Sequence, residues 1–159
     1  MDESRKLGTV AAAGSAALLA GAFFFQAIGY APCAMCLWQR WPHAVAILAG
    51  ALLLVLSPYR ALLGLGAAAM IVTSGLGLYH TGVERDWWEG PSSCTGSGAG
   101  LSGLSGDALL SFDDVPPLVL CDEVTWQFLS LSMASWNAIL SALLAGVWIL
   151  ALRGRSRST

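Results

Sequence analysis

The sequence predicts an all-α integral membrane protein, an antiparallel bundle of four transmembrane helices whose two outward loops carry all four cysteines. Composition is the first ground for this: 56% of the 159 residues are hydrophobic and 11% charged, more apolar surface than a soluble domain of this size can hide. The second is length. Residues 7–29, 38–56, 61–79 and 131–152 meet or nearly meet the about 20 apolar residues that cross about 30 Å of hydrocarbon as helix. The third is connectivity, since the short links at 30–36 and 57–60 make sequential helices antiparallel neighbours. Lipid offers the backbone no water, so each span must satisfy its own polar groups as helix. The expected unit is a single four-helix membrane domain with a long outward loop at about 81–130.

The first span follows Arg5 and Lys6. Its apolar stretch is longer than the roughly 7–15 residues of a signal-peptide core, and no small-x-small site follows it, so it is expected to remain. Ala12, Ala16 and Ala20 in this span, and Ala142 and Gly146 in the last, have the small-residue spacing that lets helices approach. No Asp, Glu or Lys interrupts any span, and Arg40 lies only at the start of the second. Arg5, Lys6, Arg60, Arg153, Arg155 and Arg157 all fall on one side, which the positive-inside rule makes cytoplasmic with both termini. The cysteine loops then face a compartment that permits disulfides. Within the long loop, Trp87 and Trp88 with Glu84, Arg85 and Asp86 read as an interfacial collar. The Gly/Ser run after Cys94 predicts an accessible strand there, and residues 101–112 have the spacing of a short surface helix.

A net charge of −2 with scattered basic residues excludes a nucleic-acid partner, and there is no phosphate loop, catalytic triad or repeat. The chemistry lies in the cysteines. Cys33 and Cys36 form a CxxC at the start of a helix, where the helix N-terminus favours thiolate; Cys36 is expected to feel that field. Arg40 is one turn on, on the same face as Cys36, and an arginine at membrane depth marks a functional site. His80 ends the third span on the same side and is suited to hydrogen-bond an oxygen of a bound electron acceptor. His43 ranks below it, and Gln26 is expected to bond a neighbouring helix. Cys94 and Cys121 bracket the long loop. Two dithiol pairs at one membrane face point to electron relay rather than stapling. No metal is expected, because Cys94 and Cys121 lie far apart with no His nearby. Purely structural disulfides are the rival account, but they do not explain a CxxC with Arg40 one turn below it. A small transporter subunit would need polar residues at mid-membrane, which the spans are read as lacking.

Four stretches resemble the DsbB family of membrane thiol oxidases: PCAMCLWQRWP at the second span, YHTGVE from Tyr79 to Glu84, PSSC ending at Cys94, and CDEVTWQFLSLSMASWN from Cys121 to Asn137. They fall in the family's order on its four-span layout. Quinone reductases of the vitamin K epoxide reductase type share a four-helix core, but their CxxC comes late in it, so the order favours DsbB. The resemblance implies an enzyme of the bacterial inner membrane with periplasmic cysteine loops. It would reoxidise a thioredoxin-like DsbA-type partner and pass the electrons to a quinone, ubiquinone being favoured over menaquinone. By motif match, the partner attacks Cys94 and Cys121 leaves; Cys33–Cys36 then reoxidises that pair through a Cys121–Cys33 bridge. Cys36 delivers electrons to the quinone, held by Arg40 and His80.

Overall fold

The computed structural model describes residues 3–56, 59–91, 94 and 120–156. Among these, four long helices carry the fold: α1 (Glu3–Ala27), α2 (Ala34–Leu53), α3 (Tyr59–Glu84) and α4 (Met133–Ser156). Each packs on its neighbour in sequence and α4 closes against α1, while α1 and α3 face each other diagonally with little contact. Three are long and apolar enough to cross a membrane: α1, the Arg60–Glu84 stretch of α3, and Met133–Gly154 of α4. The chain is a membrane protein. Helix α2 falls below that measure because Gln39, Arg40, Pro42 and His43 crowd its first half.

The helix ends depart from the expected spans in ways that matter for the site. Gly29, at φ 108, takes the left-handed backbone that reverses the chain after α1, at little cost to a residue without Cβ. Helix α2 begins at Ala34 rather than Trp38, with Cys33 as its N-cap. Helix α3 runs on to Glu84, so His80 and Glu84 stand on one helical face four residues apart instead of starting a loop. The last span, expected from residue 131, starts at Met133, because Leu131–Ser132 (β2) pairs antiparallel with Gln127–Phe128 (β1). The two turn residues, Leu129 and Ser130, both have positive φ, the backbone sense that suits a two-residue hairpin. Ser132 Oγ then accepts from the Ser135 N–H at 3.1 Å and caps α4. The surface helix expected over 101–112 lies outside the described residues.

Close approach rests on small residues, though largely not the expected ones. A Cβ on Gly50 would lie 2.1 Å from that of Ala12, one on Gly66 would meet the Trp148 ring at 2.6 Å, and one on Gly77 would meet the α4 backbone at Ala138 N, 2.9 Å away. Ala12 is thus a contact, whereas Ala20 is exposed and nothing lies within 4 Å of where a Gly146 Cβ would be. Leu53, Leu63, Met70 and Trp148 fill the apolar core at one end of the bundle. A second cluster, at the other end, is built of Cys33, Met35, Val83, Cys94 and Cys121.

Candidate active site

All four cysteines converge on that second cluster. Cys94 and Cys121 are disulfide-bonded with Cα atoms 5.0 Å apart, and Cys121 N–H donates to Cys94 O at 2.7 Å. Cys33 and Cys36 are free thiols whose sulfurs lie 3.0 Å apart. Cys94 is 3% exposed, so the accessible strand expected for it is not found: it packs among Cys33, Met35, Val83 and Cys121, which remove it from water.

The helix N-terminal field falls on Cys33 instead of Cys36. As N-cap, Cys33 Sγ accepts from the Cys36 N–H at 3.2 Å, because the free amides of a first turn point back at the capping residue. Its thiol is lowered to about 4, foremost by the hydrogen bond from the Cys36 side chain and further by His80 and the Cys36 N–H, against the opposing effect of burial. His80, 2% exposed, places Nε2 3.5 Å from Cys33 Sγ. Glu84 Oε1 lies 3.9 Å from the same nitrogen, and Ser132 Oγ donates to Glu84 Oε2. The cap of α4 thereby supports a carboxylate and an imidazole on α3, which in turn support a sulfur at the start of α2. The ligand atoms of Cys33, Cys36 and His80 all lie within 4.8 Å of one another, a donor set that a thiophilic cation could use and that the spacing of Cys94 and Cys121 does not disclose.

Behind His80 a chain of amides runs into the bundle. Gln39 Nε2 faces His80 Nδ1 at 3.0 Å; Asn137 Nδ2 donates to Gln39 Oε1 at 2.7 Å; Asn137 Oδ1 faces His43 Nε2 at 2.9 Å. Thr73 Oγ1 donates to Gln39 O at 3.1 Å. The expectation that the spans lack interior polar groups is therefore overturned. Apart from His43 Nδ1, which has no hydrogen-bond partner among the described residues, these side chains satisfy one another across three helices, which is what permits them there. Glu84, Gln39 and Asn137 were not among the candidate residues, and His43, ranked below His80, joins the same chain through Asn137. The available signal was the cluster of Gln39, Arg40 and His43 in the first half of the second span and a single Asn137 inside the otherwise apolar last span.

The chain borders a cavity of about 430 Å³, within the size range of small-molecule sites and mostly apolar. Cys36, Arg40, His43 and His80 are among its polar lining, and Phe25 and Trp126, whose rings are 5.1 Å apart, are among its apolar lining. Arg40 is on the Cys36 side as expected. Its Nη1 donates to Gln26 Oε1 at 2.7 Å, and its guanidinium lies 4.7 Å from the Phe23 ring centroid, so α1 fixes its direction and Gln26 has the helix-bridging role foreseen.

Known proteins match over nearly the whole chain. The profile of the family described as disulfide bond formation protein DsbB matches residues 4–151. A disulfide bond formation protein B of Pasteurella multocida is 36% identical over 143 residues, covering 81% of this chain and 75% of that protein. One from Polaromonas naphthalenivorans is 25% identical over 152 residues, with 91% and 88% covered. Disulfide bond formation protein B 2 of Pseudomonas aeruginosa is 29% identical over 143 residues, with 87% and 84% covered. No solved structure matches the chain significantly. With two cysteine pairs gathered at one end of an apolar helical bundle, the chain belongs to the DsbB family of disulfide bond formation membrane proteins.

Proposed function

We propose that this protein is a quinone-dependent thiol oxidase of the bacterial inner membrane that reoxidises a periplasmic, DsbA-type dithiol protein. One observation carries the proposal: a disulfide and a free dithiol lie in a single buried cluster, and the free dithiol also borders a cavity suited to a flat organic acceptor. On this reading all four helices span, and the cysteine end faces the periplasm because the basic residues gather at the other.

The relay balances as follows. A partner thiolate attacks Cys94 Sγ, the Cys94–Cys121 bond breaks, and Cys121 leaves as thiolate; the partner's second thiolate then releases it as a disulfide. Cys121 attacks Cys33 of the oxidised CxxC, so a Cys121–Cys33 bond forms and Cys36 leaves as thiolate. Attack by Cys94 on Cys121 restores the loop disulfide and frees Cys33. Two electrons and two protons from the partner now reside on Cys33 and Cys36, the redox state of the structure. A quinone, when bound in the cavity, would supply the acceptor for these two electrons and two protons. Arg40 offers fixed positive charge where negative charge would grow, and the apolar wall strengthens that attraction relative to water. His80 has two duties here: it stabilises charge on Cys33 and lines the acceptor's cavity.

Purified protein given a reduced thioredoxin-like protein and a short-chain ubiquinone should lose two partner thiols for every quinone reduced, followed by thiol titration and quinone absorbance together. Thiol loss with no quinone reduction under anaerobic conditions would contradict the proposal.

A further inference from the structure

Two backbone carbonyls settle how the amides behind His80 are turned. Met35 O lies 3.2 Å from one terminal atom of Gln39, and Thr73 O lies 3.4 Å from one of Asn137; a carbonyl oxygen only accepts, so both atoms are nitrogens. Asn137 Nδ2 then donates to Gln39 Oε1 at 2.7 Å, and the second hydrogen of Gln39 Nε2 points at His80 Nδ1, 3.0 Å away. Nδ1 is therefore an acceptor. A neutral imidazole with a bare Nδ1 carries its hydrogen on Nε2, and Nε2 is the atom 3.5 Å from Cys33 Sγ. Glu84 Oε1, at 3.9 Å, is too far to take that hydrogen in place of the sulfur. The same sense continues backwards, since Asn137 Oδ1 accepts from His43 Nε2 at 2.9 Å. From His43 through Asn137, Gln39 and His80, every donor faces one way and the last ends on the sulfur. Gln39 and His80 are both buried, which keeps water from competing for these bonds.

We propose that Gln39 is a positioning residue for the dithiol: it holds His80 in the tautomer with hydrogen on Nε2, so that the ring donates to the Cys33 sulfur and does not take up its proton. The Gln39 amide bonds Met35, His80 and Asn137 and neither sulfur, so it acts only through His80. In the opposite tautomer an Nδ1–H would meet the Gln39 N–H, donor against donor in a buried place, and the Nε2 lone pair would face those of the sulfur. A doubly protonated ring meets the first of these penalties as well. The alignment matters where Cys33 must bear charge. In the relay proposed above, on which only this consequence rests, Cys94 attacks Cys121 of the Cys121–Cys33 bridge: the Cys94–Cys121 bond forms, the Cys121–Cys33 bond breaks, and its electron pair stays on Cys33 Sγ. A sulfur whose thiolate is stabilised leaves faster, and successive donors in one direction strengthen the final bond.

The tautomer is read directly by nitrogen NMR of the full-length reduced protein labelled at its two histidines, with His80→Ala assigning the His80 signals. Near neutral pH, His80 should show hydrogen on Nε2 and none on Nδ1. Hydrogen on Nδ1, alone or on both nitrogens, would overturn the inference. Gln39→Met keeps the length of the side chain and loses its amide hydrogens. It should raise the Cys33 thiolate midpoint, followed by ultraviolet absorbance, by about one pH unit, the effect of weakening one hydrogen bond to an ion. Ser74→Ala is the control: it breaks a bond of similar kind between α3 and α4, Ser74 Oγ to Ala138 O at 2.9 Å, that lies off the chain, and it should leave the midpoint unchanged. Equal shifts in both variants, or none in Gln39→Met, would make Gln39 merely structural. If Gln39→Met does not fold, Asn137→Ala, which removes the donor to Gln39 Oε1, should give a smaller rise in the same direction, and a wild-type midpoint there would count equally against the proposal. Neither readout involves the partner or a quinone. Protein that passes both yet fails to oxidise a dithiol partner would overturn the relay and leave the assignment of Gln39 standing.

Discussion

The sulfur of Cys33 lies 3.5 Å from Nε2 of His80, although 47 positions separate the two residues in sequence. The contact joins the cap of α2 to the last turn of α3. It makes the reactivity of the CxxC a property of both helices.

Reduced protein should therefore contain one thiolate, on Cys33, that persists down to a midpoint of about 4, followed by ultraviolet thiolate absorbance. The native value lies below the ordinary 9.0, so ionised Cys33 contributes stability fully present above about pH 9, shrinking as pH falls and gone below about pH 4. His80→Ala removes the hydrogen bond that Nε2 offers the Cys33 sulfur and should shift the midpoint upward. A wild-type midpoint near 9, or no shift in the variant, would contradict this account.

Arg40→Ala should raise the apparent KM for quinone or slow the quinone step by roughly ten- to a hundredfold, the effect of losing one hydrogen bond to a charged group. Exchange between the partner and Cys94–Cys121 should be nearly unaffected. Gln26→Ala, which frees the guanidinium from α1, should act in the same direction more weakly. Equal losses in single-turnover partner oxidation and in quinone reduction would remove Arg40 from its assigned place.

A membrane-impermeant thiol reagent applied from the periplasmic side should label all four cysteines once the protein is reduced and unfolded in place, and tags at either terminus should be protected from periplasmic protease. If Cys33 and Cys94 were reached from opposite sides, the relay would be impossible.

Given an excess of oxidised partner, the free Cys94 thiol of Cys121→Ala should attack the partner's disulfide and hold it as a mixed disulfide, with no Cys121 thiol to compete for Cys94, visible on a non-reducing gel and lost on adding reductant. Cys94→Ala should trap none. Both sulfurs are buried in the disulfide form, so this asymmetry rests on the motif match to the family rather than on exposure. An adduct forming on Cys121 or Cys33 would reverse the proposed direction of electron flow.

Gly77→Ala should destabilise the protein by about 1–3 kcal/mol, because its Cβ would press on the α4 backbone at 2.9 Å from Ala138 N and 3.0 Å from Ala134 O. Thermal unfolding in detergent reads this directly. Gly75→Ala is the control, with nothing within 4 Å, and should leave the midpoint nearly unchanged.

The membrane character, the long apolar helices, the CxxC at the start of a helix and the pairing of Arg40 with the Cys36 side could all be read from the sequence. Each depends on composition or on spacing within one element, where helix geometry converts position into direction. The convergence of Cys33, Cys94 and Cys121, the burial of Cys94, and the assembly of Glu84, Gln39, Asn137 and His43 into one polar chain could not. Those depend on how α2, α3 and α4 rotate against one another, and that rotation is set by contacts such as Gly77 on Ala138 and Gly66 on Trp148. Which sulfur receives the helix field depended on a shift of a few residues. The sequence pattern starts the second span at Trp38, whereas the helix starts at Ala34, and Cys33 becomes the cap that the Cys36 amide meets.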